Sequence, residues 1–248
     1  MLVHEQLDSD PSRLDLWIAS TATRPVVDHV LILVHGLPRT YGMGRQAAGL
    51  LPELAEHLAN ESGWLVASGT MSGIGASTGT FSMTQWRQDL SRMIDRLSSA
   101  NQRISLAGFG LGGALALATT VTDERVRGVA TFATSADLQR WCGDPDEMVN
   151  IIRAANVVDP TVALQGAAEL VADIVELDPV QAASLVPPKR FLIGHGSDDR
   201  EVPVSEAREL HAAADGRAEL RIIQGAGHWL RADPRMVATL LGWLDRHR

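Results

Sequence analysis

Four short runs of consecutive apolar residues most constrain the fold of this chain. The first, HVLILV, covers 29–34 and is followed by His35 and Gly36. Strands of a parallel sheet covered by helices on both faces have such near-continuous runs of branched residues. Further apolar runs lie at 64–68, 103–107 and 126–132, and two more follow at 190–193 and 218–223. Helical patterns separate most of them, so the sequence predicts a doubly wound, mostly parallel α/β sheet with helices on both faces.

Amphipathic spacing and capping residues predict helices between these strands. Leucines three and four positions apart from 51 to 58 mark one helix face. Ser82 and Gln85 have the spacing of a capping box before a second helix. Asp233-Pro234 is a favourable N-cap and first-turn pair for the last helix. Before the first buried run, partial alternation over 14–19 predicts an edge strand.

The interval from Ser135 to Pro188 breaks the alternation, because it contains only helical patterns, at 148–155, 163–177 and 179–185. Roughly fifty residues is long for one crossover connection. We therefore predict that 135–188 is a small helical lid over the carboxyl ends of the strands, with longer connecting helices as the alternative. With or without a lid, the 248 residues are expected to form a single domain.

Composition and charge exclude several classes of partner. The net charge is −8 and no basic run is present, so phosphate backbones would be repelled and we expect no nucleic-acid partner. No apolar run reaches the roughly 18–20 residues of a membrane span, and residues 1–12 lack the apolar core of a signal peptide. A single cysteine, Cys142, excludes an internal disulfide framework. We expect a cytoplasmic protein without cofactor or metal ion, and the sequence leaves its oligomeric state open.

Three loops with polar residues suited to acyl chemistry follow predicted strands. They are His35-Gly36-Leu37, GHGSDDREVP at 194–203 and QGAGHW at 224–229. Ligands of open α/β sheets bind at the carboxyl ends of the strands, where these loops would meet. A carboxylate on one loop can orient a histidine on the next. Each motif alone has an ordinary explanation, since a loop Asp often forms a turn and a Gly permits a tight strand exit.

The segment LAGFGLGG at 106–113 is the centre of the predicted site. An apolar run enters it and an Ala- and Leu-rich run leaves it, which predicts a strand, a sharp turn and a helix. This layout matches the Gly-x-Ser-x-Gly nucleophile elbow, but Gly110 stands where the serine belongs.

Together these motifs resemble the α/β-hydrolase superfamily, in its esterase and serine-peptidase-like branch, over essentially the whole chain. A further match is the loop GIGASTG at 73–79, which is similar to the G-x-G-x-S-x-G loop of these proteins. The resemblance implies that Asp199, which the family spacing selects over Asp198, is the acid and that His228 is the base. This agrees with the order nucleophile, acid, base along the chain.

The resemblance also implies how the rest of the site is formed. The backbone N–H groups of Leu37 and Leu111 would form the oxyanion hole, and position 110 would be that of the nucleophile. Phe109 lies next to the elbow, Trp229 next to the base and Trp141 at the start of the predicted lid. We expect these three side chains to line a mostly apolar pocket for a small-molecule substrate.

Glycine at position 110 leaves four hypotheses open. In the first, the chain is a non-catalytic pseudoenzyme that binds a small apolar ligand. In the second, His228, oriented by Asp199, activates a water in place of the serine, or the same pair abstracts a proton in an isomerase or lyase reaction. In the third, Ser135 or Cys142 is a substitute nucleophile, and in the fourth, Gly110 is an engineered replacement in a normal esterase. Because acid and base are both present, water-mediated hydrolysis of small ester or acyl compounds is the leading hypothesis.

Overall fold

A computed structural model describes residues 1–9, 12–21, 28–37, 51–79, 81–98, 102–154 and 166–247. The strands are β1 Leu2–Ser9, β2 Ser12–Ala19, β3 His29–Val34, β4 Leu65–Gly69, β5 Arg103–Phe109, β6 Val126–Phe132, β7 Arg190–Gly196 and β8 Glu219–Ile223. The helices are α1 Leu51–Ser62, α2 Met83–Leu97, α3 Leu111–Thr122, α4 Leu138–Cys142, α5 Pro145–Ala154, α6 Ala167–Val175, α7 Pro179–Leu185, α8 Val204–Ala213 and α9 Pro234–Asp245, with a 3₁₀ turn at Leu230–Ala232.

The eight strands form one sheet in the order β1-β2-β4-β3-β5-β6-β7-β8. Strands β3 to β8 are parallel to one another, while β2 is antiparallel to both β1 and β4. The prediction of a mostly parallel, doubly wound α/β sheet is therefore confirmed. Because the parallel strands end at the same edge, the loops after β3, β5, β7 and β8 meet there.

Helices cover the sheet on both faces. The core on one face is formed with α1 and α9 and contains the buried Trp64, Phe132 and Trp243. The core on the other face is formed with α2, α3 and α8 and contains Phe81 and Trp86. No helix in the described ranges is both long and apolar enough to cross a membrane.

Two predicted strand assignments are wrong in detail. The strand over 14–19 is not at the edge, because β1 pairs with β2 along its whole length. The outermost strand needs no continuous apolar run, and Leu2 and Val3 of β1 are exposed. Residues 194–196, expected in a loop, extend β7, because they remain paired with β8 from Gly194↔Arg221 to Gly196↔Ile223.

Side-chain caps fix the start of two predicted helices. The Ser82 hydroxyl accepts a hydrogen bond from the backbone N–H of Gln85 at 3.0 Å, as predicted. The Gln85 side chain does not complete the capping box, since it donates to Asp89 at 3.0 Å instead. Asp233 caps α9 by accepting from the N–H of Arg235 at 2.8 Å.

Helices α4 to α7 lie in the interval predicted to be a lid. Helix α7 packs against α3 and α8, and α6 contacts α2, α4 and α5. Among the described residues of this interval, Trp141 of α4 lines the pocket at the strand ends. The assignment of 135–188 as a lid stays a prediction.

Candidate active site

The turn between β5 and α3 places Gly110 at the carboxyl edge of the sheet. Gly110 has φ 54° and ψ −123°, a backbone conformation that residues with a Cβ rarely adopt. Its N–H donates to the carbonyl of Phe132 at 2.9 Å, and its own carbonyl accepts from Gly113 at 2.9 Å. A Cβ at Gly112 would lie 2.2 Å from the carbonyl oxygen of His35. Glycine at 112 therefore lets α3 start directly against the loop after β3.

Position 110 faces the imidazole of His228. A Cβ built on Gly110 lies 3.9 Å from Nε2 of His228 and meets no other described atom within 4 Å. The turn after β5 thus presents position 110 to Nε2 of His228, and glycine supplies no side-chain atom there.

Asp199 and His228 are joined by a hydrogen bond of 2.9 Å between Oδ2 and Nδ1. The other carboxylate oxygen of Asp199 accepts from the N–H groups of Glu201 and Val202, each at 2.9 Å. Burial raises the pKa of the Asp199 carboxyl, but hydrogen bonds from His195, His228 and the Val202 N–H outweigh it and hold the pKa well below its usual range. An ionised carboxylate only accepts, so Nδ1 of His228 carries a proton, and the lone pair of the neutral ring is at Nε2.

The second acid of the loop has a different partner. Asp198 accepts from the hydroxyl of Ser197 at 2.6 Å, while Asp199 reaches His228. The buried His195, which our sequence reasoning left without a role, supports Asp199. Its Nε2 lies 2.9 Å from the carbonyl of Val202 and 3.3 Å from Oδ2 of Asp199. Its place on β7, four residues before the acid, is the only sequence signal for this contact.

Leu37 and Leu111, predicted to form an oxyanion hole, both line the pocket in front of Gly110. Leu111 is the first residue of α3, so its N–H has no acceptor within the helix, and the helix start favours negative charge.

His35 fixes the loop that carries Leu37. Its Nδ1 donates to the carbonyl of Gly36 at 3.0 Å, and its Nε2 accepts from the N–H of Met71 at 3.0 Å. Burial lowers the pKa of His35 to about 4, with the charge of Arg231 acting in the same direction and the Gly36 carbonyl opposing. The ring is therefore neutral at neutral pH, as its acceptor role at Nε2 requires.

The pocket at Gly110 is formed by the ends of β5 and β6, by the loops after β3, β7 and β8, and by α4. It opens to solvent, and its empty space of about 480 Å³ includes the solvent at its mouth. The predicted Phe109, Trp141 and Trp229 all line it. The Phe109 ring stacks on Phe132 with ring centroids 5.3 Å apart.

Two charged residues of the pocket were missed by our sequence reasoning. Oε2 of Glu201 lies 3.7 Å from Nε2 of His228. The guanidinium of Arg231 lies over the ring of Trp229, 4.5 Å from its centroid. Both follow a predicted site residue closely, Glu201 two positions after Asp199 and Arg231 three after His228. That proximity in sequence is the signal that could have found them.

The structure contradicts both proposed substitute nucleophiles. The hydroxyl of Ser135 donates to the buried carboxylate of Glu206, which also accepts from the N–H groups of Ala136 and Asp137. This bonding holds Ser135 away from the pocket lining. Cys142 is buried in the hydrophobic core and does not line the pocket.

The glycine-rich loop at 73–79 has a structural role. Ser77 donates to the carbonyl of Thr70 at 2.7 Å and accepts from the N–H of Asp15 on β2 at 3.0 Å. The preceding Ser72 donates its N–H to the buried Asp89 of α2 at 2.8 Å. These bonds tie the loop to β2 and α2, and none of its residues lines the pocket at Gly110.

A metal site is not formed by the described residues, which contain no group of three His, Cys, Asp or Glu side chains able to hold an ion. His195, Asp199 and His228 lie close together, but their facing atoms are hydrogen-bonded to each other. The chemical groups at the pocket are thus an oriented imidazole, two backbone N–H candidates and two charged side chains.

Comparisons with known proteins agree with this fold. The model of the prolyl oligopeptidase family, Peptidase_S9, matches residues 82–248, more than half of the chain. No curated protein sequence matches. Similar solved structures include a serine hydrolase involved in carbazole degradation, 16% identical, with a TM-score of 0.68 over 99% of this chain and 100% of that chain.

Two further structures have the same fold. The α/β hydrolase GrgF from Penicillium sp. sh18 is 18% identical, with a TM-score of 0.71 over 100% of this chain and 99% of that one. The esterase domain of a Rhodothermus marinus protein is 19% identical, with a TM-score of 0.69 over 100% and 97%. At such identities the structures show the shared fold, and the family match carries the assignment. The chain therefore belongs to the prolyl oligopeptidase family and has the α/β-hydrolase fold.

Proposed function

We propose that the protein hydrolyses small ester or acyl compounds, and that His228, oriented by Asp199, activates a water where the elbow motif places a serine hydroxyl. The observation that carries this proposal is the 3.9 Å between a Cβ at Gly110 and Nε2 of His228, with no other described atom within 4 Å of that Cβ. A water molecule beside Gly110 can hydrogen-bond to Nε2 and face the carbonyl group of a substrate bound in the pocket.

The chemistry follows from the groups around that water. Nε2 of His228 accepts a proton as the water oxygen attacks the carbonyl carbon, a general-base step that contributes about 10²–10⁴-fold. The N–H groups of Leu37 and Leu111 receive the oxyanion, and such a donor contributes about 2.7–4 kcal/mol. The tetrahedral intermediate then collapses, and His228 returns the proton to the leaving oxygen. Asp199 stays ionised and stabilises the imidazolium between the two steps.

Glu201 adds to this stabilisation. Its carboxylate lies 3.7 Å from Nε2, on the opposite side of the ring from the Asp199 contact at Nδ1. An opposite charge at this distance favours the imidazolium that forms when the water is deprotonated. The substrate in this proposal is a small molecule, bound against Phe109, Trp141 and Trp229.

The test compares kcat/KM for 4-nitrophenyl acetate in the parent, in His228→Ala and in His57→Ala. His57 is exposed on α1 and does not line the pocket, so it controls for removal of a histidine. We expect the parent to exceed buffer hydrolysis by more than the roughly 10³–10⁴-fold that an oxyanion hole and binding supply without any triad member. His228→Ala should lose about 10²–10⁴-fold, the contribution of the general base, and His57→Ala should match the parent.

Turnover that survives His228→Ala unchanged contradicts the mechanism. A parent that is inert, yet has its melting temperature raised by small apolar ligands, supports the pseudoenzyme alternative instead.

A further inference from the structure

Arg231 is a partly buried cation of the pocket with no acidic partner among the described residues. It lies on the 3₁₀ turn Leu230–Ala232 and lines the pocket opened by Gly110. Its Nε is buried without a hydrogen-bond partner, and its guanidinium lies over the Trp229 ring. Within the described ranges no carboxylate lies within ion-pair distance of it. Burial lowers the pKa of Arg231, which is the sign of a charge removed from water, although a guanidinium stays protonated in proteins.

Several arginines elsewhere in the structure are paired with a carboxylate. Four residues further on, Arg235 contacts the carboxylate of Asp233 through Nε at 3.0 Å and through a terminal nitrogen at 2.6 Å. At the opposite edge of the sheet, directly before β6, Arg125 makes the same two-pronged contact with Asp123 at 2.9 and 2.7 Å. Both of these arginines are exposed, whereas Arg231 is partly buried. Among the described residues that line this pocket, Arg231 thus bears a desolvation penalty that no carboxylate offsets.

Glu201 does not neutralise Arg231, although it lines the same pocket. Its carboxylate lies 3.7 Å from Nε2 of His228 and forms no ion pair with the guanidinium. Because no described side chain supplies a negative charge to Arg231, a bound molecule is the candidate for that charge.

The position of Arg231 relates that charge to the reacting carbonyl group. Arg231 and Leu37 line the same pocket, in which His35 holds the loop that carries Leu37. The guanidinium and the Leu37 N–H, which is to receive the carbonyl oxygen, can therefore contact the same bound molecule.

We propose that Arg231 is an anion subsite, and that the preferred substrate is an acyl compound with a carboxylate on its acyl chain. This inference rests on the proposed function for the reaction of the substrate, but the binding of the carboxylate to Arg231 does not depend on it. The planar guanidinium fork matches a carboxylate with two parallel N–H···O bonds, and Trp229 on one face holds it flat.

The experiment measures binding of non-hydrolysed amides by calorimetry. Succinamate and glutaramate carry a carboxylate, whereas butyramide and valeramide have a methyl group in its place. The proteins are the parent, Arg231→Gln, Arg231→Lys and the control Arg221→Gln. Arg221 is exposed on β8 and paired with Glu219, so this control removes the same charge outside the pocket.

We expect the parent to bind at least one of the two anionic amides at least tenfold more tightly than its neutral partner. Arg231→Gln should abolish this preference, Arg231→Lys should keep part of it, and Arg221→Gln should leave it intact. Without ligand, Arg231→Gln should melt no lower than the parent, because it removes an unpaired buried charge. Equal affinity of the parent for the charged and the neutral amides overturns the proposal, and this measurement needs no variant. So does a preference that survives in Arg231→Gln.

Turnover of 4-nitrophenyl hemisuccinate and 4-nitrophenyl butyrate separates this inference from the proposed function. Selective binding of the anionic amides without turnover of either ester retains the subsite and contradicts the hydrolase. Turnover of both esters at equal kcat/KM, with equal amide binding, retains the hydrolase and contradicts the subsite.

Discussion

Gly110→Ser should convert the protein into an efficient serine esterase at the expense of stability. The Cβ of the new residue would lie 3.9 Å from Nε2 of His228, with the hydroxyl one bond further on. From that position Oγ can reach the hydrogen-bond distance of about 2.6–3.2 Å that an activated nucleophile needs. His228 and Asp199 are already joined at 2.9 Å, so no other part of the triad has to move.

Two magnitudes follow from the structure. A residue with a Cβ at φ 54° and ψ −123° is strained by about 1–3 kcal/mol, which at roughly 2–4 °C per kcal/mol lowers the melting temperature by several degrees. Loss of the serine in another hydrolase lowers kcat by about 2 × 10⁶. Since the parent retains part of that catalysis through its remaining groups, we expect Gly110→Ser to raise kcat at least about 10³-fold.

The assay is 4-nitrophenyl acetate hydrolysis with a stopped-flow record of the first turnover. Gly110→Ala is the matched control, because it has the same backbone strain and no hydroxyl. Gly110→Ser should show faster turnover and a burst of nitrophenolate, whereas Gly110→Ala should show neither. Both variants should lose similar stability. A folded Gly110→Ser that is no faster than Gly110→Ala would refute the alignment of position 110 with His228.

Three further predictions follow from the site and its supports. Asp199→Asn should lower kcat of the parent towards that of His228→Ala with little change in KM, since it removes the charge that orients and stabilises the imidazolium. His35 takes up a proton near pH 6.5 when unfolded and near pH 4 when folded, so the unfolded state binds more protons between these values. The free energy of unfolding in urea should therefore fall by up to about 3 kcal/mol from pH 6.5 to pH 4, and His35→Gln should flatten this slope. Gly112→Ala would place a Cβ 2.2 Å from the His35 carbonyl, so its melting temperature should fall by an amount that corresponds to about 1–3 kcal/mol.

Burial on both faces explains which parts of the fold could be predicted from the sequence. The apolar runs at 29–34 and 126–132 coincide with β3 and β6, because strands inside a covered sheet need apolar residues at most positions. The outermost strand β1 has water on its open edge and lacks such a run, so it was missed. The end of β7 was misplaced because two glycines and a histidine continue its pairing, although their composition is typical of a loop.

The residues of the site likewise fall into those that local sequence patterns predicted and those that tertiary packing places. Asp199 and His228 were predicted because their loops have recognisable spacing, and the structure brings them together. Ser135 was proposed as a nucleophile from its position at a strand end. The side chain that determines its orientation, Glu206, lies 71 residues further along the chain. The approach of Arg231 to the pocket and its lack of an acidic partner also depend on tertiary packing, which no local pattern encodes.

Intact-mass spectrometry during turnover tests the central claim most directly. The parent and Gly110→Ser are quenched in acid while each hydrolyses 4-nitrophenyl acetate. The account predicts that the parent hydrolyses the ester with an unmodified mass, because a water attacks the carbonyl, and that Gly110→Ser gains the mass of one acetyl group. An acetyl adduct on the parent that forms and decays at the rate of turnover would contradict it.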